Sequence, residues 1–209
     1  MSKKLDSVLE KIKKDYKMEI LPAREACKVP RIFLDSPGLN YVFGSGFPLG
    51  RIIAIHGPFS SGKSTLSTYI AGQIQKKGGE HNKVVYIDFE YSFDPDYAAN
   101  LGLDVDNDFI ILRPENGEDT FLMLKDLIET DEVGLVIIDS ATVMSSKSLL
   151  EDPNKANFGN TAKVMSNGLK FISPYLTKHS CSMIILGQER QNVGCVDKNT
   201  LVEWKYLEA

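Results

Sequence analysis

Five short runs of β-branched and aliphatic residues recur between residues 51 and 186, separated by helix-length segments. No other feature limits the fold as tightly. The runs Arg51–His56, Val84–Phe89, Phe109–Arg113, Leu135–Asp139 and Met183–Leu186 read as buried strands, because an unbroken apolar run suits a strand covered on both faces. Between them the pattern predicts helices over Lys63–Lys77, Pro95–Leu101, Glu118–Thr130 and Thr161–Lys178, with Asp94 as N-cap and Pro95 at the first helical position. Pro174 lacks an N–H and collides with the preceding turn, so a kink or break is expected there. Strands joined through helices require right-handed crossovers, which implies an α/β fold with a mainly parallel sheet and ligands at the carboxyl ends of the strands.

A chain of 209 residues with 43% hydrophobic and 25% charged side chains has material for one substantial core. Its 24 basic and 28 acidic residues leave a net charge of −4, which excludes a binder that grips nucleic acid by overall charge and leaves room for a local basic stripe. Cys27, Cys181 and Cys195 are odd in number and lack metal-ligand spacing, so a reducing compartment is expected, with neither a disulfide scaffold nor a structural zinc. No apolar run reaches the roughly 18 residues that cross a bilayer, and no membrane contact is expected. From Lys3 to Lys17, six lysines and three acids surround Leu5, Leu9, Ile12 and Tyr16. This stripe at helical spacing packs either on its own domain or on a neighbouring subunit. Prolines at 22, 30 and 37 then punctuate a loop-rich lead-in. The expected divisions are 1–30 for this segment, 31–194 for the core and 195–209 for a distinct tail.

Directly after the first run stands Gly57-Pro58-Phe59-Ser60-Ser61-Gly62-Lys63-Ser64, which has the strand, glycine-rich loop and helix arrangement of a phosphate-binding loop. Glycines let backbone N–H groups curl around phosphate oxygens, and the following helix aims its positive end at them. Lys63 is placed to reach the β and γ phosphates, and Ser64 to offer a hydroxyl to Mg²⁺. Asp139 ends a hydrophobic strand, where a carboxylate can hold the metal's water shell or can simply cap a turn. Glu90, one residue past the strand Val84–Phe89, can orient an attacking water or can be a surface acid. Gln188 follows the last strand and is either a hydrogen-bonding contact for the γ phosphate or a loop residue.

Together these residues resemble the RecA family of ATP-dependent strand-exchange recombinases over about Arg31 to Gly194. The segments that carry the resemblance are Gly50 to Pro58 running into the loop, Tyr86-Ile87-Asp88-Phe89-Glu90, Asp94-Pro95-Asp96-Tyr97-Ala98, Val136-Ile137-Ile138-Asp139-Ser140 and Leu186-Gly187-Gln188. The acid at Glu90 followed by an Asp-Pro-x-Tyr stretch is much more specific to this family than the phosphate loop. The resemblance implies a RecA-like core of the P-loop NTPase class, a DNA-dependent ATPase using ATP and Mg²⁺, and a cytoplasmic setting. It implies Glu90 as catalytic glutamate, Asp94 and Tyr97 at the adenine, Thr65 on a phosphate and Gln188 as γ-phosphate sensor. It also implies filament self-association, binding of single-stranded DNA and pairing with homologous duplex DNA. The first DNA loop would span about Ser145 to Asn160, and Lys163 and Lys170 match the basic positions of the helix that follows. Seven residues apart, they share a helix face; as plain sequence they read equally as solvated lysines. Ile172-Ser173-Pro174-Tyr175-Leu176 is similar to the phage-encoded members.

The family pattern is departed from after Gly194, so the core is expected to be incomplete at its carboxyl side. Cys195-Val196-Asp197-Lys198-Asn199-Thr200-Leu201-Val202 resembles the opening of an intein, in which the Cys195 thiol would attack the Gly194 carbonyl to form a thioester. This reading makes the chain an inactive trans-splicing precursor that needs a carboxyl-terminal split-intein partner; the competing reading is a truncated or divergent second DNA loop. A helicase-type ATPase on the same fold is a further alternative.

Overall fold

The computed structural model describes residues 3–17, 20–21, 23–26, 28–141, 143–147 and 160–188. In chain order the elements are α1 (Lys3–Tyr16), α2 (Ala23–Ala26), β1 (Arg31–Ile32), α3 (Pro37–Val42), β2 (Phe47–Pro48), β3 (Ile52–Gly57), α4 (Lys63–Lys77), β4 (Lys83–Asp88), α5 (Pro95–Asn100), β5 (Phe109–Leu112), α6 (Gly117–Ile128), β6 (Val133–Asp139), α7 (Asn160–Lys178) and β7 (Ser182–Gln188). Five strands form one parallel sheet in the order β3-β7-β6-β4-β5, as the alternation of strand and helix requires. No described helix is long and apolar enough to cross a membrane.

Side chains alternate across the sheet, and both faces are covered. Val85, Ile87, Val136, Ile138, Met183 and Ile185 meet Phe121, Leu124 and Ile128 of α6 and Ile172 and Leu176 of α7 on one side. Val84, Tyr86, Leu135, Ile137, Ile184 and Leu186 meet Ile70, Ala71 and Ile74 of α4 and Ala98 of α5 on the other. Burial on two faces explains why β4, β6 and β7 read as unbroken apolar runs; each fully buried aliphatic side chain contributes about 1.5–3 kcal/mol over its exposed state. The expectation of five buried strands needs correction at the sheet's ends. Among the described residues β3 pairs only with β7 and β5 only with β4, and Ala54 and His56 of β3 and Ile111 of β5 are exposed.

Local signals set the helix ends. Ser36, Asp94 and Asn116 cap α3, α5 and α6 by accepting the N–H of Leu39, Tyr97 and Asp119, each satisfying a donor that the helix itself leaves unpaired. The expected break at Pro174 is absent, for α7 runs unbroken through it. Fully buried Ile172 and Leu176 anchor the turns on either side, which offsets the missing backbone bond. At the amino terminus, Leu9 and Ile12 of α1 are half-buried while Leu5 and Tyr16 stay exposed. Cys181 is buried, which pushes its thiol well above the ordinary range and keeps it protonated.

Candidate functional site

Strand order brings the chemistry together. β7 lies between β3 and β6, so the carboxyl ends of these three strands stand side by side with β4 next in line. Gly57 is in register with Gln188, and Asp88 with Asp139. A cleft of about 250 Å³ opens there, lined by Phe59 to Thr65, Glu90, Asp139, Ser140 and Gln188.

The loop between β3 and α4 turns through left-handed backbone at Ser60 (φ 58°) and Gly62 (φ 85°), the second held at little cost by a residue without a side chain. Lys63 opens α4 and folds its ammonium back over the loop, donating to the carbonyls of Gly57 at 3.1 Å and Pro58 at 2.8 Å. Ser64 Oγ donates to Asp139 Oδ2 at 3.0 Å, and the Tyr86 hydroxyl donates to the same oxygen at 2.6 Å. Burial holds the Asp139 carboxyl above its ordinary range, and the negative charges of Glu90 and Asp88 push the same way against the two hydroxyl bonds. Burial and the neighbouring Asp139 charge keep the Tyr86 phenol protonated and therefore a donor.

Glu90 is exposed at the cleft's rim, where its Oε1 accepts the Ser140 hydroxyl at 2.6 Å. The turn that carries it is tied down through Asp88, which is fully buried, pairs with Arg113 at 3.1 Å and accepts the Ser92 N–H at 3.2 Å. The Arg113 guanidinium in turn lies 5.0 Å from the centre of the Tyr91 ring, a cation–π distance. Asp94 and Tyr97 sit beside the cleft rather than in its lining. Asp94 caps α5, and the Tyr97 hydroxyl is 3.0 Å from Thr65 Oγ1.

Of the residues expected from sequence, Lys63, Ser64, Thr65, Glu90, Asp139 and Gln188 converge on this cleft, with Gly57 and Pro58 as the carbonyls under the lysine. Lys163 and Lys170 lie elsewhere, exposed on α7. Cys195, with the whole of the tail, falls outside the described residues, as does most of the first DNA loop. Sequence reasoning missed Tyr86, Ser140 and the Asp88–Arg113 pair. A signal for Tyr86 exists: it is the one residue with a hydroxyl in an otherwise aliphatic run, and residues 84, 86 and 88 share a strand face. The hydroxyl of Ser64 and the carboxylate of Asp139 are hard oxygen donors of the kind that Mg²⁺ takes in small number, the remainder of its shell coming from water and phosphate. Among the described residues no group of three histidine, cysteine or acidic side chains could hold a metal alone.

The model of the RecA N-terminal domain matches residues 3–202. Protein RecA of Mycoplasmopsis pulmonis is 36% identical over 200 residues, covering 93% of this chain and 58% of that protein. Protein RecA of Arthrospira platensis is 35% identical over 201 residues, 94% of this chain and 54% of the relative. Protein RecA of Mesomycoplasma hyopneumoniae is 38% identical over 155 residues, 74% of this chain and 45% of the relative. The chain thus spans about half the length of the curated relatives it matches. None of these comparisons speaks for the splicing, helicase-type or phage-specific readings. A match that runs through nearly the whole chain, on a parallel sheet with the strand and loop order that the motifs require, places this protein in the RecA family.

Proposed function

We propose that this chain forms the ATP-binding core of a recombinase that assembles on single-stranded DNA and promotes pairing with a homologous duplex. The observation that carries the reading is the meeting of Lys63, Ser64, Asp139 and Glu90 in one cleft beneath a glycine-rich loop. Lys63 exchanges its two loop carbonyls for the β and γ phosphate oxygens, and the backbone N–H groups from Ser60 to Ser64 cradle the phosphates, with Gly57 and Pro58 shaping the loop. Ser64 and Asp139 are the residues that would hold Mg²⁺, whose charge neutralises the phosphate oxygens when bound. Glu90, fixed by Ser140, accepts a hydrogen bond from the attacking water and orients it. Gln188 contacts the terminal phosphate from the strand between the loop and Asp139. Thr65 adds a phosphate contact, and Tyr97 offers a ring against the adenine beside Asp94. Lys163 and Lys170 on α7 neutralise phosphates of a single strand, and neighbouring copies assemble into a filament along it.

The test is ATP hydrolysis with and without single-stranded DNA, with Lys63→Ala as control. DNA-stimulated hydrolysis that the variant lacks is the expected result. Equal rates in the presence and absence of DNA would reject the recombinase reading, and failure to bind Mg·ATP would reject the site itself.

A further inference from the structure

We infer that Tyr86 is a positioning residue for the metal-side carboxylate, its hydroxyl fixing the orientation in which Asp139 meets a divalent cation. This rests on the reading of Ser64 and Asp139 as the cation's protein donors. Tyr86 is 2% exposed, on the strand adjacent to that of Asp139. Its register partner is Ile137, so Asp139 stands two residues along on the same face, the diagonal neighbour within reach of a long side chain. The ring is packed against Phe93 and Phe109, with centroids 5.0 and 5.9 Å away. That packing is apolar, and a phenylalanine would fill it as well. What the tyrosine adds is one donor, directed at Asp139 Oδ2 from 2.6 Å.

Two hydroxyls share that oxygen, and they differ in freedom. Ser64 sits at the cleft surface, where its hydroxyl can turn from Asp139 to a cation. The phenol is buried, and its ring packing against Phe93 and Phe109 fixes the direction of its hydroxyl. A donor to one carboxylate oxygen stops the group rotating and leaves the other oxygen's direction set before a cation arrives. It also offsets part of the negative field that Asp88 and Glu90 impose on Asp139. Outer partners of this kind typically govern metal affinity by about 10–100-fold.

The experiment is a titration of Mn²⁺ against the protein in the presence of ADP, followed by electron paramagnetic resonance, on wild type, Tyr86→Phe and Asp139→Asn. Tyr86→Phe is expected to weaken Mn²⁺ about tenfold while ADP affinity without metal stays at the wild-type level. If Tyr86→Phe binds Mn²⁺ like wild type while Asp139→Asn does not, the positioning role is overturned and the cation site stands. If Asp139→Asn also binds like wild type, the cation-site reading fails and the inference with it. Should the phenylalanine variant not fold, a fluorotyrosine at position 86 keeps the ring and alters the donor's strength. A shifted Mn²⁺ affinity then supports the role, and an unchanged one overturns it.

Discussion

The Ser140 hydroxyl grips Glu90 from the residue next to Asp139, so the carboxyl end of β6 and the residue that follows it serve both carboxylates. Glu90→Gln keeps the shape and removes the charge; kcat for ATP hydrolysis is expected to fall by about 10²–10⁴-fold with nucleotide binding retained. Ser140→Ala leaves the charge and frees its rotation, and is expected to lower kcat about tenfold with little change in KM. Steady-state phosphate release measures both, and an unaltered kcat in Ser140→Ala would dismiss the positioning of Glu90. Lys63, Ser64 and Asp139 were legible in the sequence because each is marked by its place on a single element: the loop spacing for the first two, the end of an apolar strand for the third. Ser140 left no such mark and Tyr86 only a lone hydroxyl in an apolar run, because their partners come from a different strand or the turn after it. Which strands are neighbours, and in what register, is set by tertiary packing that no local periodicity encodes.

Elements show the same division. The central runs were legible to within two residues, since burial on both faces leaves an unmistakable apolar string. β1 and β2, two residues each, are too short to leave one, and the exposure of β3 and β5 follows from their place in the strand order. α7 puts propensity and packing in opposition. Pro174 is exposed, so Pro174→Ala restores a backbone donor at no packing cost and is expected to add about 1–3 kcal/mol. Gly168→Ala also raises helix propensity, yet a methyl there overlaps the ring of Phe121, itself 3% exposed and unable to yield. That variant is expected to lose about 1–3 kcal/mol, lowering the thermal midpoint by about 2–4 °C per kcal/mol. Chemical and thermal denaturation check the two signs. The same helix exposes Lys163 and Lys170, and replacing each by alanine is expected to reduce the slope of log affinity for single-stranded DNA against log salt by about one. Titrations at several salt concentrations read that slope, and an unchanged slope would remove both lysines from the DNA face.

For the molecule as a whole, acid should loosen the fold. Lys77 and Gln73 hold the Asp35 carboxyl below its ordinary range, the Asn107 side chain and the Asp106 N–H do so for Asp104, Lys147 and Asn116 for Asp119, and His179 for Asp131. A carboxyl lowered on folding contributes stability that is present above its unfolded value and lost as pH falls through the folded one. Asp139, raised by burial, has the opposite sign, but it is one group against four. The urea midpoint is therefore expected to drop below about pH 4, modestly because all four lowered carboxyls reach solvent, and Asp131→Asn should flatten the drop. The strand order has a different consequence. β7 is threaded between the strand that leads into the glycine-rich loop and the strand that ends in Asp139, so anything bridging those two banks passes directly over Gln188.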